Sequence, residues 1–178
     1  MPNVPELLAP LVGEQPSALF AALLLVHIAA GLTSVFCGAG AALSRKGAWR
    51  HRRFGWIYYW ALAVVFATGS AMAAMRWAED AYLFFLGLIA FGAATIAYLA
   101  RTVRWSGWIR FHIVGMGLSY VVMLTAFYVD NGPRLPLYDR LPVLAFWVVP
   151  SLIGLPLIAR AFRRYGSQAW ARPNDWSR

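Results

Sequence analysis

The chain has 178 residues, of which 61% are hydrophobic and only 13% are charged, and its formal net charge is +9. Globular domains are nearer half apolar and about a quarter charged, and a soluble chain of this length could not remove so much apolar surface from water. The composition therefore argues against a soluble globular domain. The single cysteine, Cys37, excludes an intrachain disulfide and a cysteine-based zinc site.

The first sixteen residues contain two glutamates and no lysine or arginine, and the first cation of the chain is Arg45. A secretory signal requires a cationic start ahead of a short apolar stretch. We therefore expect the first apolar run to be kept as a membrane span, with residues 1–16 as an outer segment ahead of it.

Five stretches are long and apolar enough to cross a bilayer, which takes roughly 20 residues of helix. They cover residues 17–44, 56–78, 81–100, 112–129 and 141–161. The last contains Pro150 and Pro156, which a membrane helix tolerates because neighbouring groups satisfy the freed carbonyls. The sequence predicts an all-α bundle of five transmembrane helices over residues 17–161, followed by a basic tail over residues 162–178.

The cations are distributed unevenly among the segments between these spans. With the N-terminus outside, the outer side holds only Arg76, Arg134 and Arg140. The other thirteen cations fall on the inner side in three groups: Arg45, Lys46, Arg50, Arg52 and Arg53; Arg101, Arg104 and Arg110; and Arg160, Arg163, Arg164, Arg172 and Arg178. The positive-inside rule therefore predicts an outer N-terminus, an inner C-terminus and a cytoplasmic basic tail.

This distribution also explains the net positive charge without a nucleic-acid partner. The cations flank spans, where they meet the anionic headgroups of a lipid bilayer, and no segment between the spans is long enough to fold into a basic module that binds nucleic acid. The bilayer is therefore the expected partner, and nucleic acid is not. Runs of glycine and alanine inside the spans indicate close helix packing, and a homo-oligomer is compatible with the sequence.

Two of the three histidines, His51 and His112, lie at the inner boundary, just before or at the start of a span. Two neutral imidazoles at matched depth can ligate haem iron axially, or a metal together with further ligands. If the second and fourth spans are neighbours, the rings face one another, and haem b or a quinone could bind there beside Arg52 and Tyr58. A histidine in a basic aromatic belt is also a common interface residue, so both interpretations stay open.

The third histidine, His27, lies ten residues into the first span, and Ser119 and Tyr120 lie at a similar depth in the fourth. Ionisable groups at that depth tend to face other helices or a water-filled cavity. Either His27 is neutral and hydrogen-bonded to Tyr120 or to a serine or threonine, or these residues form a carrier's site for a small or lipidic molecule. No carboxylate lies inside a span, and no catalytic constellation or metal site is evident.

Residue patterns around the two inner-boundary histidines support a family resemblance. The first comprises Lys46, Gly47, His51, Arg52, Gly55 and Tyr58, and the second comprises His112, Gly115, Met116, Ser119 and Tyr120, followed by Asp130, Asn131 and Gly132. With these patterns the chain, over roughly residues 27–158, resembles the bacterial integral-membrane family catalogued as domain of unknown function 2306. The resemblance implies a multi-span fold in a bacterial cytoplasmic membrane and implies no activity. A scaffold or assembly factor without a ligand is therefore a third interpretation.

Overall fold

The computed structural model of the chain describes residues 17–135 and 141–166, apart from the side chain of Pro133. These residues form five helices. They are α1 (Ala18–Leu43), α2 (Trp49–Met75), α3 (Trp77–Val103), α4 (Trp108–Asn131), which runs into a 3-10 turn (Gly132–Arg134), and α5 (Val143–Tyr165). Each of the five is long and apolar enough to cross a membrane. For the described residues, the prediction of an all-α fold with five such helices is therefore confirmed.

Parts of the sequence prediction lie outside the described residues. They are the outer segment 1–16, residues 167–178 of the basic tail, and three of the counted cations, Arg140, Arg172 and Arg178. The described helices also extend beyond several predicted spans, because α2 begins at Trp49 rather than at residue 56. The apolar stretch ends where the charged residues begin, whereas the backbone hydrogen bonds of the helix continue through them.

Glycine keeps the turn after α1 and the turn after α3 short. The turn between α1 and α2 contains Gly47 at φ 81°, and the turn between α3 and α4 contains Gly107 at φ 74°. Residues with a Cβ rarely adopt these left-handed angles, whereas glycine adopts them at little cost. The chain therefore reverses direction within about five residues, so the start of each new helix lies beside the end of the previous one.

The chain divides into two compact units, one ending at Phe85 and the other beginning at Leu86, so the division falls inside α3. In the N-terminal unit α1 packs along α2, and in the C-terminal unit α4 packs along α5. The later part of α3 also belongs to the C-terminal unit, where Ala93 and Ala97 meet Gly115 of α4.

The most completely buried side chains are small, and many large apolar side chains lie outside. Among the described residues, Ser34, Ser119, Ala94, Ala97 and Ala100 are 0% exposed. The residues with the most exposed large side chains include Leu43 at 89%, Phe36 at 71%, Leu144 at 69% and Leu152 at 66%. Water-soluble proteins place large apolar groups inside, whereas membrane helices pack through small residues and turn large ones toward lipid. This arrangement fits a multi-pass membrane protein.

Gly115 marks a close approach of two helix backbones in the C-terminal unit. A Cβ added at Gly115 would lie 2.6 Å from the carbonyl oxygen of Ala93 and 2.7 Å from Cβ of Ala97. Both neighbours are parts of a helix that cannot rotate away as a long side chain can. The separation between α3 and α4 is therefore set by the absence of a side chain at this position.

We expect Gly115→Ala to lower the free energy of unfolding in detergent by about 1–3 kcal/mol, because the added methyl group forces two backbones apart. The matched control is Gly92→Ala on α3, where an added Cβ meets nothing within 4 Å. The measurement is the thermal unfolding midpoint of the purified protein. Equal midpoints for the two variants would contradict this account of the packing.

Candidate functional site

His51 is the third residue of α2, and its ring is held by the end of α1. Its Nδ1 donates to the carbonyl oxygen of Ala41 at 2.9 Å. A carbonyl oxygen can only accept, so Nδ1 carries a hydrogen, and in the neutral ring Nε2 carries the lone pair. The contact therefore fixes both the tautomer and the orientation of the imidazole.

The same corner satisfies the terminal carbonyls of α1. The Lys46 ammonium donates to Ala42 at 2.7 Å and to Ala41 at 3.3 Å, and the Ser44 hydroxyl donates to Gly40 at 2.6 Å. Carbonyls in the last turn have no partner within their own helix, and these side chains supply partners for three of the last four. Partial burial of its ammonium lowers the pKa of Lys46. The Lys46, Gly47 and His51 pattern therefore closes α1 and turns the chain into α2.

His112, the fifth residue of α4, makes the corresponding contact in the C-terminal unit. Its Nδ1 donates to the carbonyl oxygen of Ala97 in α3 at 3.2 Å. Ala97 lies well inside α3, which continues to Val103, so this carbonyl is not an unsatisfied helix end. Gly115, one turn further along α4, allows the close approach at Ala97. The hydrogen bond is thus not needed to cap a helix, and its effect is to orient the ring.

The two histidines share one local arrangement in different units. Each follows a left-handed glycine, Gly47 or Gly107, by four or five residues, and each donates Nδ1–H to a carbonyl of the preceding helix. Sequence reasoning placed both rings at the start of a helix but had no means of predicting which nitrogen is hydrogen-bonded. That the rings face one another stays a prediction. The predicted cofactor roles of Arg52, which is exposed, and Tyr58, which is buried, also stay predictions.

His27 is held within the N-terminal unit by a residue that sequence reasoning did not single out. Its Nδ1 lies 3.0 Å from Oγ1 of Thr68 in α2. The Thr68 hydroxyl donates its own hydrogen to the carbonyl of Val64 at 2.7 Å, so its oxygen accepts from the imidazole. Gly69 makes room for the ring, since a Cβ there would lie 3.2 Å from Cε1 of His27. His27 therefore links α1 to α2 through a polar contact in the middle of both helices.

Ser119 and Tyr120, predicted to share a site with His27, both lie in α4 in the C-terminal unit. The Ser119 hydroxyl is fully buried and donates to the carbonyl of Met116 in its own helix at 2.9 Å. Tyr120 is partly exposed. In the structure His27 has its hydrogen-bond partner, Thr68, within its own unit. A site that His27 shares with Ser119 and Tyr120 stays a prediction.

In the part of the protein that the structure describes, no three histidine, cysteine, aspartate or glutamate side chains are grouped so that they could hold a metal ion. A haem group differs in this respect, because the porphyrin supplies four of the iron ligands and the protein supplies only one or two imidazoles.

Comparison with known proteins identifies no relative of this chain. No protein family, curated protein or solved structure matches the chain. The family resemblance of the two histidine patterns stays a prediction, and the functional argument depends on the geometry of the imidazoles.

We expect Thr68→Val to lower the free energy of unfolding by about 0.5–2 kcal/mol, the range for hydrogen bonds between membrane helices. The matched control is Thr33→Val, because the Thr33 hydroxyl donates only to Ala29 of its own helix. A nitrogen NMR spectrum of the histidines should show loss of the hydrogen-bonded Nδ1–H of His27 in Thr68→Val alone. An unchanged His27 signal in that variant would contradict the assignment.

Proposed function

We propose that this chain is a membrane protein that binds haem, with His51 and His112 as the residues whose imidazoles can each supply an iron ligand. The observation that carries the proposal is the hydrogen bond from Nδ1 of each ring to a backbone carbonyl, Ala41 or Ala97. Histidines that ligate metals almost always donate their other ring N–H to a carbonyl, a carboxylate or water, which orients the ring and raises its basicity. In both rings Nε2 is therefore the nitrogen that would bind iron.

The same hydrogen bonds favour haem over a quinone. A neutral imidazole that donates Nδ1–H to a carbonyl has no second hydrogen to donate to a quinone oxygen. It does have the Nε2 lone pair that iron requires. Arg50 and Arg52 flank His51 and are exposed, so their guanidinium groups suit the carboxylates of the haem propionates. Bound haem would supply one-electron redox chemistry, and the protein would hold and tune it.

The proposed orientation has the N-terminus outside and the C-terminus inside a bacterial cytoplasmic membrane. The turns after α1 and α3 carry cations and no acidic residue, with Arg45 and Lys46 in the first and Arg104 in the second. At the corner between α2 and α3, by contrast, Arg76 is ion-paired with Glu79. Cations accumulate on the cytoplasmic side of membrane proteins, which supports an inner location for the first two turns.

The haem test is the visible spectrum of the protein purified from cells supplied with haem. We expect a Soret band for the unaltered chain and a loss of bound haem of about tenfold or more in His51→Ala and in His112→Ala, because each removes an imidazole that would hold the group. The control is His27→Ala, which removes an imidazole held by a side chain in the middle of two helices. Absence of a Soret band from the unaltered chain, or equal loss in all three variants, would contradict the proposal.

The orientation test uses single cysteines in a Cys37→Ser background. Ser106→Cys reports the turn between α3 and α4, and Ala78→Cys reports the corner between α2 and α3; both positions are exposed. With a maleimide that cannot cross membranes, we expect intact spheroplasts to label Ala78→Cys only, and lysed cells to label both. The opposite pattern would show that the chain is inserted the other way.

A further inference from the structure

One face of α5 is not used in packing against α4. The side turned toward α4 is defined by Gly154, which lies against Val121, and by Ile158, which lies against Gly117. Residues two positions further along a helix point about 200° away from these. They therefore lie on the opposite side, and they include Pro156 and Arg160.

This opposite side carries an open groove with a volume of about 570 Å³, lined by Pro156, Ala159, Arg160, Arg163 and Arg164. The spacing of these residues places them on one stripe along the helix, and all five are exposed. The exposed Leu152 continues the stripe one turn before Pro156. The groove is therefore apolar toward the middle of the helix and cationic toward its C-terminal end.

The arginines at the cationic end have few partners among the residues that the structure describes. Among the described residues, Arg160 and Arg163 make no hydrogen bond or ion pair, and the Arg164 guanidinium lies over the ring of Tyr165 at 5.4 Å. Like charges three or four residues apart on a helix repel one another. The C-terminal end of the helix dipole offsets part of this repulsion, and a bound anion would offset the rest.

We propose that this groove binds one anionic phospholipid, with the phosphate at the three arginines and an acyl chain along Pro156 and Leu152. Guanidinium groups bind phosphate oxygens through paired hydrogen bonds. Leu152 and Arg160 are separated by about 12 Å along the helix, which places the apolar half of the site where the acyl chain begins. Charge complementarity selects an anionic lipid, because the ammonium of a zwitterionic headgroup would meet the same cations.

The experiment measures lipids that stay bound to the full chain in native mass spectrometry from a non-ionic detergent. The probes are phosphatidylglycerol and phosphatidylcholine with identical acyl chains, together with glycerol phosphate and inorganic phosphate. We expect phosphatidylglycerol to bind at least about tenfold more tightly than phosphatidylcholine. The triple variant Arg160→Ala, Arg163→Ala and Arg164→Ala should lose most of this preference, because each cation near a membrane surface contributes about fivefold.

The matched control removes three exposed cations elsewhere, with Arg45→Ala, Arg53→Ala and Arg104→Ala, so that the net charge falls equally. A second variant, Arg160→Lys, Arg163→Lys and Arg164→Lys, keeps the charge and removes the paired hydrogen bonds, and it should show intermediate binding. Equal loss in the control triple would show diffuse attraction and overturn the site. Glycerol phosphate or inorganic phosphate binding as tightly as the lipid would also overturn it, because the apolar half would then contribute nothing.

Discussion

Close approach of helix backbones at small residues is the constraint on which the rest of the structure depends. In lipid the hydrophobic effect does not draw apolar helices together, so packing and hydrogen bonds must do so. Gly115 lets α4 lie against α3, and only because of that approach does the His112 ring reach the carbonyl of Ala97. In the N-terminal unit, Gly40 similarly receives the ring of Phe54, near the contact between His51 and Ala41.

The polar side chains of the helices fall into two groups by what they bond to. Most hydroxyls bond back to a carbonyl of their own helix, as an apolar surrounding requires; they include Thr33, Ser34, Ser119 and Thr125. The imidazoles instead reach across to a neighbouring helix. Ser70 differs from both groups, since its hydroxyl is buried and has no partner among the described residues. The cross-helix contacts are the ones that tie ring orientation to helix packing, and a functional role for the histidines depends on that link.

The number and positions of the helices could be predicted because a membrane-spanning helix needs a long apolar run, and such a run can be read directly from the order of the residues. The contacts of the histidines could not, because they depend on the register between helices and on ring rotation. Thr68 illustrates the difference. It lies in a run of small residues that indicated only packing, yet a comparison of depths would have found it: His27 is nine residues from the start of α1, and Thr68 is seven residues from the end of the antiparallel α2.

The inverted distribution of side-chain size has a consequence for how such a chain changes over time. A fully buried position such as Ala97 or Ser34 is enclosed on all sides, so a larger residue there would have to displace its neighbours. An outer position such as Phe36 or Leu152 turns most of its side chain away from the rest of the chain, and many apolar residues satisfy it. In descendants of this chain, variation in residue size should therefore concentrate on the outside, while the fully buried small positions stay small.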